Sequence, residues 1–292
     1  MTKLSLTDSS PRVEQAVANA ERARGAGLHR FWMPQVRSAD PLTTLAVVAR
    51  EVPTVGLGTA VVAMQTMMPQ TLAQACRTLN QISDGRFTLG LGVSHEPAMV
   101  GLYGIPWNKP YSHLVEYLDA LLPLLSEQKV STSGEFVTHH TEIDVPGPNP
   151  EVVLAALGTK MLRLAGARTS GTNLWMTGPN TIKEHIRPNL GPAGQIIAGV
   201  PVMITDDVAG ARVEANKELA IYGMLPSYRA VLDREGYDEP ADMVLMGDAD
   251  TIRAGLERYR DAGATEVTLS IQGPRESREA MWDLIATTGG EL

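Results

Sequence analysis

The sequence predicts an α/β fold, a closed (β/α)8 TIM barrel, and three observations predict it. Short Val/Leu/Ile-rich runs alternate with longer amphipathic segments along the whole chain, the rhythm of βαβ units around a parallel sheet. Eight such runs are present, the number a closed barrel needs, whereas doubly wound sheets use fewer. The length, 292 residues, fits one barrel, since such barrels take about 250 residues in one domain. A single domain over 1–292 is therefore expected.

In chain order the strands are expected at 3–6, 28–33, 55–62, 86–92, 152–156, 173–176, 197–204 and 266–271. The helices between them carry their own punctuation. "SSPRVEQAVANAERARGAG" opens with Ser10 as N-cap and Pro11 at the first helical position, and stops on Gly25 and Gly27. "ADPLTTLAVVARE" repeats the device with Asp40 and Pro41. "TLAQACRTLNQISDGR" ends on Gly85, a left-handed C′ residue that lets Arg86 turn into the next strand. Two stretches break the rhythm. "SEQKVSTSGEFVTHHTEIDVPGPNP" reads as a β-hairpin inserted before strand 5 and turning at Ser133-Gly134, with a Pro/Gly exit. "ELAIYGMLPSYRAVLDREGYDEPADMVLMGD" is extra helical material before strand 8. Both insertions are candidates for a lid or for subunit contacts in a homodimer.

Composition excludes several classes. With 43% hydrophobic and 20% charged residues the chain has the make-up of a folded globular protein. The net charge of -8 argues against nucleic acid as partner, which would ask for a basic face. "MTKLSLTDSS" has no apolar core of signal-peptide length and no run is long enough to span a membrane, so a cytoplasmic location is expected. The one cysteine, Cys76, lies at helical spacing and reads as a small buried residue.

Two phrases are near-copies: "VGLGTAVV" at 55–62 and "TLGLGVSH" at 88–95. Either the glycines pack buried strands against a helix, or both strand ends open into a shared site where backbone approaches a ligand. Neither phrase carries the third glycine or the downstream acid of a dinucleotide fingerprint. His139-His140, on a hairpin strand, would point its two rings to opposite faces, so no metal site is expected. Chemistry in a barrel sits at the carboxyl ends of the strands. Pro34 and Gln35 follow strand 2, and Ala63, Met64 and Gln65 follow strand 3. Val93, Ser94, His95 and Glu96 follow strand 4, Leu157, Gly158 and Thr159 strand 5, and Thr177 and Gly178 strand 6. The last two sets are Gly/Thr turns at helix starts, with free backbone N–H groups for a phosphate. Strong nucleophiles and paired carboxylates are few, so a bound cofactor that carries the chemistry suits these loops better than hydrolysis.

"PQTLAQACRTLNQISDGRFTLGLGVSH" resembles the luciferase-like monooxygenase superfamily, in which a helix entered after proline runs to Ser-x-Gly-Arg and a Leu-Gly-x-Gly strand. "ARGAGLHRFWMPQ", "LAALGTKMLRLAGARTSGT" and "GDADTIRAGLERYRDAGATEVTL" agree with its second strand, its fifth strand and helix, and its closing unit. "YGMLPSYRAVLDREG" and "LPLLSEQKVSTSGEF" are similar to a subgroup of F420-dependent oxidoreductases. The resemblance implies a luciferase-like (β/α)8 barrel that binds the deazaflavin coenzyme F420, or alternatively FMN. It also implies a cis peptide not involving proline after the third strand, here Ala60–Val61, supporting the back of the cofactor ring. The implied cofactor-holding residues are Gln35, Ala60, Val61, Val93, Ser94, Gly158, Thr159, Thr177 and Gly178, and the acid/base candidates are His95 and Glu96. The sequence departs from many deazaflavin-using relatives after strand 2, where Met33-Pro34-Gln35 stands in place of an Asp-His or similar pair. The implied activity is hydride transfer between F420 and a small organic substrate with an activated C=C, C=N or C=O bond. An FMN monooxygenase and a cofactor-binding barrel without turnover are the alternatives.

Overall fold

The computed structural model describes residues 1–292. Eight parallel strands are present: β1 (Lys3–Thr7), β2 (Arg30–Met33), β3 (Gly56–Thr59), β4 (Phe87–Gly92), β5 (Glu151–Leu154), β6 (Gly171–Trp175), β7 (Gln195–Ile204) and β8 (Glu266–Ile271). They pair in chain order, β8 pairs with β1 and with β7, and β7 pairs back to β6, so the sheet closes into a (β/α)8 barrel. Two short strands add to it: Val62–Ala63 on β4 and Leu245–Gly247 on β7. By its contacts the chain forms two compact units. One, here the β6–β8 unit, comprises Met1–Asp8, Glu21–Trp32 and Ala156–Leu292; the other, the β3–β5 unit, comprises Ser9–Ala20 and Met33–Ala155.

In the β3–β5 unit the punctuation read from the sequence is made of identifiable bonds. Asp40 Oδ1 accepts the Thr43 N–H at 2.8 Å and caps the helix Pro41–Glu51. Gly85 adopts φ +82° after the helix Pro69–Ile82, a conformation that costs a residue with Cβ. Arg86 then donates to the carbonyls of Ala49 at 3.0 Å and Val55, satisfying acceptors around the end of the preceding helix. Arg77 and Asn80, on the buried face of Pro69–Ile82, hold the chain that leaves the hairpin. Arg77 donates to the carbonyls of Val145, Gly147 and Leu125, and Asn80 donates to that of Pro148 at 2.8 Å. The family-like stretch is thus largely scaffold. Cys76 is fully buried, and burial pushes its thiol pKa up, away from the thiolate a nucleophile requires.

The inserted hairpin pairs Lys129–Ser133 with Thr138–Glu142, antiparallel, at the expected place before β5. Its tip is gathered by one carboxylate: Glu116, on the helix Pro110–Ser126, accepts N–H groups of Glu135, Phe136 and Val137. These bonds hold the Glu116 pKa below the usual carboxylate range. His139 and His140 alternate between half-buried and exposed along their strand, with His140 on Ser131 and Ser133.

In the β6–β8 unit one strand face carries a polar cluster. Glu266, 2% exposed, accepts from Ser5 Oγ at 2.6 Å, Trp32 Nε1 at 2.7 Å and Arg30 Nη1 at 2.7 Å. This cluster sits at the amino end of β8, so it belongs to the scaffold end of the strands. The insertion before β8 forms helices Ala220–Met224 and Pro226–Glu235 and a short turn Pro240–Met243. Its Leu225, Tyr228, Val231, Leu232 and Met243 make an apolar cluster with Met176, just past β6.

Three expectations need correction. The first helix starts at Val13, not Pro11; its first bond runs from the Ala16 N–H to the Arg12 carbonyl, and Ser10 Oγ, three residues ahead of it, accepts from Asn19 Nδ2 at 3.3 Å. The strand expected at 55–62 is broken at Ala60–Val61. The strand expected to reach 176 ends at Trp175, because Met176 takes φ +47°. No helix is long and apolar enough to cross a membrane.

Candidate functional site

The break after β3 is a bulge. Gly58 lies beside Thr88, but Val62 lies beside Leu91, one residue short of the continued register, so one extra residue is accommodated at Thr59–Val61. The Ala60–Val61 peptide is cis, as the family resemblance implies. The second Gly-Leu-Gly phrase acquires a steric reason. A Cβ on Gly90 would stand 1.9 Å from the Thr59 carbonyl oxygen and 3.0 Å from Val61 Cγ1; one on Gly92 would stand 2.9 Å from Val61 Cγ2. Strand β4 therefore carries glycine at 90 and 92, where the bulge of β3 lies against it.

Further bonds fix the bulge from its other sides. Thr59 Oγ1 donates to the Gly90 carbonyl at 2.8 Å and accepts the Gly90 N–H at 2.9 Å. The Ala60 N–H reaches the Met33 carbonyl at 2.8 Å, and the Gln35 N–H reaches that of Val61 at 3.3 Å. Gln35 Oε1 accepts the Ala63 N–H at 2.9 Å, and its amide lies 3.3 Å from Thr66 Oγ1. Gln35, expected to hold a cofactor, spends its side chain on the loop that carries the bulge. Gln65, which followed strand 3 in the sequence without being singled out, does comparable work. Its Nε2 donates to the Val93 carbonyl at 2.7 Å, while its Oε1 is buried without a partner.

The result is a small uncharged shelf. Ala60 and Val61 remain half-exposed, as do Val93, Ser94 and His95 after β4. Ser94 holds φ +61° and turns the chain into the helix Glu96–Tyr103, whose N-cap is His95. Burial lowers the His95 pKa below its ordinary 6.5, which leaves the imidazole neutral at pH 7. Glu96 is exposed in the first turn of that helix.

The two phosphate-facing turns lie in the β6–β8 unit, and the structure separates them. Gly158 caps the helix Thr159–Arg168 with no side-chain bond; it is exposed, and a Cβ there would meet no atom within 4 Å. The start of that helix is open to an anion. Thr177 and Gly178 are buried, and Thr177 Oγ1 donates to the Trp175 carbonyl at 3.2 Å. A Cβ on Gly178 would lie 2.3 Å from Cδ of Glu235, whose carboxylate accepts the N–H groups of Asn180 and Thr181. The expected phosphate turn after β6 is already taken by the chain's own carboxylate. Pattern reading missed Glu235 because it lies more than fifty residues downstream, in an insertion with no motif.

A closed eight-stranded parallel barrel with a bulge at the carboxyl end of β3 defines the architectural class. The luciferase-like monooxygenase profile matches residues 2–266, and the chain belongs to that family. It is 26% identical to a putative coenzyme F420-dependent oxidoreductase of Mycobacterium tuberculosis, over 88% of this chain and 90% of the relative. Among solved structures it is similar to the coenzyme F420-dependent tetrahydromethanopterin reductase of Methanopyrus kandleri. That match has a TM-score of 0.80 at 19% identity and covers 100% of this chain and 98% of the other. It is also similar to a type II Baeyer–Villiger monooxygenase, the oxygenating constituent of 3,6-diketocamphane monooxygenase from Pseudomonas putida, in complex with FMN. There the TM-score is 0.74 at 15% identity, covering 99% and 97% of the two chains.

Proposed function

We propose that the protein is an oxidoreductase that binds the deazaflavin coenzyme F420 and catalyses hydride transfer between it and a small organic substrate with an activated C=C, C=N or C=O bond. The observation that carries this reading is the shelf at Ala60–Val61: uncharged, half-exposed, and held by Thr59, Gln35 and the glycines of β4. The residues present fit a planar heterocycle on two counts. The shelf has no charge to desolvate, and Gln65 Oε1, buried without a partner, is an acceptor near the shelf's base.

When bound, the deazaflavin supplies the carbon that gives or takes the hydride. The chain's own part is to position and to handle the proton. Ala60 and Val61 support the ring face, and Val93 and Ser94 border it. His95, neutral at pH 7, accepts a proton from a substrate hydroxyl or returns it, with Glu96 as the exposed carboxylate next in line. In the other unit, backbone N–H groups at Gly158 and Thr159 suit an anionic end of a ligand.

FMN is the second reading, favoured by the likeness to an FMN-bound monooxygenase. Titration of the purified protein with each cofactor tests the choice. F420 is expected to bind at least about tenfold more tightly, roughly 1.4 kcal/mol. Tighter FMN binding with oxygen consumed during turnover reverses the assignment. Turnover of reduced deazaflavin with a panel of enones, imines and ketones separates an enzyme from a barrel that only binds.

A further inference from the structure

The carboxylate of Glu235 sits in an unusual place. It is the last residue of the helix Pro226–Glu235, where the helix dipole disfavours a negative charge, and the side chain is only 7% exposed. No lysine, arginine or histidine pairs with it. Its partners are instead the Thr181 N–H at 2.5 Å and the Asn180 N–H at 3.2 Å. Those amides open an unbroken helical run over 179–190, with a π-helical stretch at Ile182–Ile186. A buried carboxylate without a cation is expensive unless several donors meet it, so this helix start functions as the counter-charge. Two neighbours show that the space is shaped for an anion. Gly178 lacks the Cβ that would strike the carboxylate, and Thr181, fully buried, has a hydroxyl with no partner, on the residue whose N–H meets Oε1.

We propose that the start of helix 179–190 is an oxyanion seat that Glu235 keeps filled, so that Glu235 is a specificity residue which excludes a phosphate-bearing ligand from the turn after β6. A phosphate or sulfate has more acceptor oxygens than a carboxylate, but it would have to displace a side chain tethered to the seat. Within that unit the anionic end of a ligand is left with the open start at Gly158. The inference bears on the phosphate end of the cofactor class proposed above, yet its test requires neither cofactor nor turnover.

The test is thermal melting of the wild type, Glu235→Ala and Glu235→Gln in sodium chloride and in inorganic phosphate at equal ionic strength and pH. Glu235→Ala is expected to melt below the wild type. Phosphate should then raise its Tm by at least about 3 °C more than it raises that of the wild type, because the vacated seat admits the ion. Glu235→Gln should also melt below the wild type, yet gain no extra response to phosphate, because the amide still fills the space without the charge. An equal phosphate response in the wild type and the alanine variant overturns the proposal, and so does a glutamine variant as stable as the wild type. If Glu235→Ala does not fold in chloride, refolding in phosphate is the readout: recovery supports the seat and failure overturns it. Failure of the deazaflavin assignment would appear in the cofactor titration and leave these shifts untouched.

Discussion

Each of the two compact units removes a Cβ beside a strand end to admit another part of the chain, and they differ in what enters. At Gly90, in the β3–β5 unit, it is main chain: the Thr59 carbonyl at the start of the bulge. At Gly178, in the β6–β8 unit, it is a side chain: the Glu235 carboxylate arriving from an insertion. Main chain held by a barrel strand cannot retreat, whereas a side chain can change rotamer. The bulge is therefore a fixed part of the fold, and the Glu235 contact is one a substitution can reshape.

Gly90→Ala gives the sharpest form of that contrast. A Cβ 1.9 Å from the main-chain carbonyl oxygen of Thr59, a residue whose hydroxyl is already bonded to the Gly90 carbonyl and N–H, has nowhere to go. A loss of about 4 kcal/mol, or failure to fold, is expected in urea denaturation. Gly178→Ala meets a flexible carboxylate instead and should lose about 2 kcal/mol. Adding Glu235→Ala should recover part of that loss, and a double-mutant cycle with no coupling would break the comparison. Gln35→Ala strips the Ala63 N–H of its acceptor and is expected to cost about 1.5 kcal/mol, with weakened cofactor binding as the shelf loosens.

How much of this was legible in the sequence follows from the range of each interaction. The eight strands, the hairpin and the caps at Asp40 and Gly85 are local patterns, and alternation, Pro and Gly report them directly. The place of the break at Ala60–Val61 came from the family resemblance, since nothing local distinguishes it from a continuous strand. What could not be read were the long-range partners: Thr59 facing Gly90, Arg77 holding the exit of the hairpin, and Glu235 filling the turn after β6. Leu-Gly-Thr at 157–159 and Thr-Gly-Pro at 177–179 look alike as helix-start turns. Only the residue that packs against the second separates them.

That difference yields a binding prediction. Thr159 is the first residue of its helix, where proline is well tolerated, and Gly158 before it is extended at φ -86° and ψ 149°, as proline requires of its neighbour. Thr159→Pro should thus remove one N–H donor without unfolding the helix. About tenfold weaker binding of F420 is expected, roughly 1.4 kcal/mol, measured by titration. Unchanged affinity would mean that the anionic end of the cofactor is held elsewhere.

The smallest expected effect concerns His95, the titrating group on the shelf side of the comparison. Burial lowers its pKa from the ordinary 6.5 in the folded protein. The unfolded chain then takes up the imidazole proton before the folded one does. As pH falls below 6.5 the unfolded state binds more protons, and stability declines until the folded group also protonates. Measured by urea denaturation between pH 8 and pH 5, the wild type should lose stability relative to His95→Asn over that interval, with no difference in slope above pH 7. In turnover, a neutral imidazole acting as proton acceptor predicts a kcat/KM that rises through the same interval and is level above it. If the wild type instead gained stability on acidification, a neighbouring carboxylate would be holding the proton on His95. The imidazole would then serve as a cationic acid at the cofactor, and the shelf would not be uncharged.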